Sequence, residues 1–118
     1  MKKYKLSQGE GRTRVDLSME YIGQDPVVLI HNENAHIGAV AVGEYDHVED
    51  RASASVITRA GHKDDAIAQK AAYLITRHTR KPSCVIAGVH IKDITETEIR
   101  AVLDNSELLV AQLLHILE

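Results

Sequence analysis

The sequence predicts an α+β fold, a mostly antiparallel sheet with helices on one face. Three observations carry that expectation. Between Arg12 and Tyr21 the residues alternate, with Val15, Leu17, Met19 and Tyr21 on one side and Asp16, Ser18 and Glu20 on the other. That is the period-2 signature of a strand with one wet face. Between Asp64 and Arg80, the residues Ile67, Ala68, Ala71, Ala72, Leu74 and Ile75 recur at helical spacing. Near the C-terminus Thr95 and Glu98 stand three apart before an apolar stripe, the pattern of a capping box that opens a helix.

The remaining elements follow in order. Gly23-Gln24-Asp25-Pro26 reads as a turn, because glycine permits unusual φ values and proline fixes its own. Val27-Val28-Leu29-Ile30 is a short β-branched strand, and His31-Asn32-Glu33-Asn34 is polar enough for a hairpin loop. Ala35 to Gly43 is a third strand of small side chains, and Ala52 to Thr58 a fourth, with Ser53 and Ser55 sharing a face. Pro82 closes the first helix, and Cys84 to Ile91 is a fifth strand. In the last helix Ile94 and Ile99 are spaced as a hydrophobic staple, and Ser106 is a candidate restart that would split it in two.

The predicted order is β-β-β-β-α-β-α, a five-stranded sheet. The first four strands most simply form an antiparallel meander, and the crossover helix sets the fifth parallel to the fourth. With both helices on one face, the other face either meets water or packs on a second subunit. A homo-oligomer is therefore expected.

A chain of 118 residues is expected to form a single domain, 1–118. Its core must be aliphatic, since there are four Tyr and no Phe or Trp. A net charge of -3 argues against nucleic acid as a partner. The lone Cys84 lies in an apolar run and reads as a small core residue. Neither an apolar leader nor an apolar run of membrane-spanning length is apparent, so a cytoplasmic protein without membrane contact is expected.

Chemistry concentrates at Thr58-Arg59-Ala60-Gly61-His62-Lys63-Asp64-Asp65. A strand leads through glycine into a helix start, whose free N–H groups favour an anion such as phosphate. His62 and Lys63 add donors, while Asp64 and Asp65 compete with any anion there; a capped helix with solvated charges accounts for the same residues. His36, His62 and His90 sit near strand ends, where one would serve as a general base if the protein were an enzyme. No metal motif is present, so no metal site is expected. Gly38, Gly43, Ala39 and Ala41 leave room above the sheet, either for a flat molecule beside Ser53 and Ser55 or for a tightly packed helix.

The segments Ile30-His31 to Gly43, Gly61-His62-Lys63-Asp64-Asp65 and Ala87-Gly88-Val89-His90 resemble those of the prenylated-flavin chaperones. These are the small D-type subunits associated with non-oxidative hydroxyarylic acid decarboxylases. The resemblance implies a non-catalytic protein that binds prenylated FMN or FMN. Its implied partners are a prenyl-FMN synthase and a UbiD-type decarboxylase, to which it passes the cofactor. It implies phosphate contacts at Gly61, His62 and Lys63, with Asp64 alongside, and a flavin path lined by His36, Gly38, Ser53, Ser55 and His90. The order of elements is also similar to that of the small proteasome-assembly chaperones, which would imply a protein-binding scaffold.

Overall fold

A computed structural model describes residues 2–59 and 64–117. The fold is mixed α+β. Its strands are β1 (Tyr4–Gln8), β2 (Val15–Ile22), β3 (Asp25–His31), β4 (Ala39–Asp46), β5 (Arg51–Thr58) and β6 (Ser83–Gly88). The helices are α1 (Asp65–Thr79) and α2 (Glu96–Ile116). The six strands form one sheet in the order β1-β2-β3-β6-β4-β5. Only the β3–β6 pairing is parallel.

Two expectations about the sheet change. The sheet has six strands rather than five, because Tyr4–Gln8 pairs antiparallel with β2. Tyr4 and Leu6 turn inward while Lys5 and Ser7 turn out, an alternation that the basic residues at the start of the chain mask. The four-strand meander is also broken. β6 inserts between β3 and β4, so residues 32–38 form no hairpin but cross over the end of β6. The helical crossover does make β6 run in the direction of β5, with β4 lying between them.

Ladder partners share a face, so the core can be read off the registers. Leu17, Ile30, Ala87 and Ala39 lie side by side, as do Met19, Val28, Val85 and Ala41. All are buried, and α1 and α2 cover them. The small residues of β4 exist for α1: a Cβ on Gly43 would meet Ala72 O at 2.7 Å and Ser83 Oγ at 2.8 Å. The space foreseen for a flat molecule above this strand is filled by helix. Thr76 and Ser83 satisfy each other there at 2.8 Å, leaving no buried hydroxyl unpaired.

The helix α2 starts as its sequence signals. Thr95 Oγ1 accepts from Glu98 N, and Glu98 accepts from Thr95 N. It then runs unbroken, because Ser106 Oγ donates to Val102 O at 2.8 Å rather than capping a restart. Arg12 reaches the same carboxylate through Nε and Nη2, at 2.5 and 3.1 Å, tying the turn after β1 to the helix start.

That junction makes stability acid-sensitive. The Arg12 hydrogen bond, followed by the Thr95 backbone, holds the Glu98 carboxyl below its ordinary value of 4.5. A carboxyl lowered by folding stabilises at pH above its unfolded value, and that contribution disappears as pH falls through the folded value. Wild type should therefore lose part of its advantage over Arg12→Ala as pH drops below 4.5. Urea midpoints at pH 7 and at pH 3 check it. An unchanged gap between the two proteins would refute the assignment.

Candidate functional site

The far end of the crossing segment is fixed by backbone, at Gly38. Gly38 N–H donates to Ala87 O at 2.9 Å, and Arg59 N–H donates to Gly38 O at 2.8 Å. Asn32, buried, exchanges two bonds with His90: its Nδ2 donates to His90 O at 2.8 Å, and its Oδ1 accepts from His90 N at 3.0 Å. This clamp holds the chain after β3 against the chain after β6. It brings two of the candidate histidines together: the His36 and His90 rings lie 5.6 Å apart, tilted by 34°.

Beside them opens a cleft of about 820 Å³, between the sheet end and the facing starts of α1 and α2. Its polar rim is His36, His90, Arg59 and Asp64. Its wall is aliphatic: Ile67 from α1, Val89, Ile91 and Ile94 from the segment after β6, and Ile99, Val102 and Leu103 from α2. Ile94, Ile99 and Leu103 are each 38% exposed, so the staple residues double as the lip of the cleft. Such a volume suits a small-molecule site, which is typically apolar with a few placed polar groups.

Two rim residues have defined settings. Arg59 Nη1 donates to Ile37 O at 2.8 Å, which anchors the guanidinium while leaving its other donors at the rim. Asp64 is 6% exposed. Its side chain makes no cap for α1; its Oδ1 accepts from Val89 N at 3.1 Å. Its carboxyl also occupies the space that a Cβ on Gly38 would need. Glycine at 38 is thus required by the carboxylate, not by a ligand.

His36, Asp64 and His90 therefore meet at one cleft, with Gly38 directly beneath. Gly61, His62 and Lys63 lie outside the described residues. Ser53 and Ser55 are on the opposite face of the sheet, exposed, in register with Glu44 and Val42, and do not line the cleft. Arg59, Asn32 and the lip residues were not among the cofactor-binding residues expected from sequence. A cation directly after a strand, and a staple pair that ends up half exposed, were the available signals. Among the described residues no group of three or more His, Cys, Asp or Glu is placed to hold a metal ion, and no helix is long and apolar enough to cross a membrane.

A family model, the prenylated flavin chaperone LpdD-like domain, matches residues 9–118. The chain belongs to that family. It is thus a relative of flavin chaperones across nearly its whole length, and the expected family resemblance holds. No curated protein matches it by sequence. Among solved structures it is similar to a chain from the crystal structure of a chaperone complex for yeast 20S proteasome assembly. The TM-score is 0.60 at 14% identity, covering 99% of this chain and 96% of that one. At that identity the likeness concerns the fold.

Proposed function

We propose that this family member binds prenylated FMN, or FMN, in the cleft and passes it in the cytoplasm from a prenyl-FMN synthase to a UbiD-type decarboxylase. The carrying observation is the pairing of a rim that bears a guanidinium, a carboxylate and two imidazoles with an aliphatic wall in one small-molecule-sized cleft. The donor set suits the group. Arg59 and the adjacent Gly61-His62-Lys63 segment would hold the phosphate, a guanidinium being well matched to phosphate oxygens. The aliphatic lip would cover the ring system. The imidazoles of His36 and His90 supply flat aromatic faces where the chain has no Phe or Trp. The flavin's own chemistry is exercised in the partner enzyme. Here the residues bind it and keep water from it.

The test is co-expression with a prenyl-FMN synthase, followed by the absorbance spectrum of the purified chain. Wild type should carry flavin at close to one per chain. Leu103→Arg, which fills the cleft from an exposed helix position, should reduce retention at least tenfold, and Arg59→Ala should do nearly as much. A colourless wild type without measurable affinity for either flavin refutes the proposal. The alternative, a protein-assembly scaffold without cofactor, has the fold likeness in its favour and requires that colourless result.

A further inference from the structure

The sheet face away from the helices is two surfaces in one. Over β1 and β2 it is polar apart from Ile22 at the end of β2, presenting Lys5, Ser7, Asp16, Ser18 and Glu20, as expected of an antiparallel sheet open to water. Over the other strands it is not. Leu29, Ile86, Val40 and Ile57 are consecutive ladder partners on β3, β6, β4 and β5, so they form one unbroken apolar row. Two residues further along, Val27, Cys84 and Val42 form a second row beside it. None of these is in the core; Val42 is 46% and Ile57 78% exposed.

The rims of this patch have opposite charge. Beyond the Val27 row, the next open-face positions are Asp25 and Glu44, with Glu20, paired to Lys3 at 2.9 Å, at the side. Beyond the Leu29 row lie His31 and, past the end of β5, Arg59, with Arg14 nearby on the β2 side paired to Asp16 at 3.0 Å. An acidic end, two apolar rows and a basic end complement their own reverse.

We propose that this face is the interface with a second copy of the chain, the two sheets packed face to face about a two-fold axis that runs across the strands. Such an axis reverses strand direction. The Val27 row of one copy then lies on the Leu29 row of the other, and each acidic end meets the partner's basic end. Sheets pack in this way about 10 Å apart, and a two-fold interface must be self-complementary. The size is adequate as well. Six strands about 4.8 Å apart and four rows roughly 6.7 Å apart span about 770 Å², with the two apolar rows at the centre and the polar β1–β2 strip and charged end rows as the rim, against the ~800 Å² per partner of a standard stable interface. The proposal does not rest on the flavin reading, although the two share Arg59, which stands at the sheet end beside the cleft.

The experiment is light scattering of the full chain after gel filtration, with thiol labelling of Cys84 as a second readout. Wild type should run at twice the chain mass, and its Cys84, in the middle of the patch, should label slowly under native conditions. Ile57→Glu and Val42→Glu replace exposed side chains and should leave the circular dichroism unchanged. Each should give the single-chain mass and speed labelling at least tenfold. Glu44→Lys should shift the mass toward the single chain at low salt, and Glu44→Gln should do so less. A wild-type monomer at 100 µM (about the top of a practical concentration range) would overturn the proposal and leave the face to a different protein. So would a dimer whose mass and labelling rate the Ile57→Glu and Val42→Glu changes leave unaltered.

Discussion

Gly88→Val is expected to lower the melting temperature by roughly 12 °C, corresponding to about 3 kcal/mol of overpacking at about 4 °C per kcal/mol. Gly88 ends β6, where residues 32–38 pass over the strand to reach β4. A Cβ there would run into the carbonyl of His36, with its carbon only 2.8 Å away. The obstacle is backbone, which has no rotamer by which to yield. The crossing segment must lift, and it takes with it the Gly38 N–H bond to Ala87 O and the Arg59 N–H bond to Gly38 O. His36 would leave His90, so flavin retention should fall along with stability. Val48→Ser, at a site 92% exposed, should stay within about 0.5 kcal/mol and serves as the control. A Gly88→Val protein melting within a few degrees of wild type would show that the crossing is not held as described.

The parts of this fold that were legible in sequence are those set by local rules. The capping box at Thr95 and Glu98, the alternation in β2 and the apolar stripe of α1 each depend on neighbours within a few residues, and each appears in place. The insertion of β6 between β3 and β4 does not depend on neighbours. Val27 to Ile30 and Ala39 to Val42 would pair with each other as readily by composition. What separates them is a seven-residue connection stretched over a glycine, and β6 arrives from 52 residues beyond the end of β3. The candidate site divides the same way. His36 and His90 were visible as histidines at strand ends, but their meeting depends on Asn32 clamping two chain segments 58 residues apart. The serines of β5 share a face with each other, as alternation dictates, and only the register with β4 reveals that this face is turned from the cleft. Small residues in β4 fit a ligand or a helix equally well, and Ala72 and Thr76 decide for the helix.

Asp64 is where the helix start, the sheet and the cleft are joined, and Asp64→Ala is expected to cost about 2 kcal/mol by leaving a polar N–H without its acceptor. That N–H is Val89's, which points from the end of β6 to Asp64 Oδ1 at 3.1 Å. The same side chain fills the gap above Gly38, so truncation removes both a hydrogen bond and the contact between the residue before α1 and the residue before β4. Asp64→Asn keeps the shape and an acceptor oxygen, and should recover most of the loss. Amide exchange at Val89 separates the two effects: it should quicken at least tenfold in Asp64→Ala and little in Asp64→Asn. Because Val89 and Asp64 both line the cleft, flavin retention should follow the exchange rate rather than the net charge of the variant. If alanine and asparagine weaken retention equally while only alanine exposes Val89, then the carboxylate acts through its charge and not through the position in which it holds the strand end.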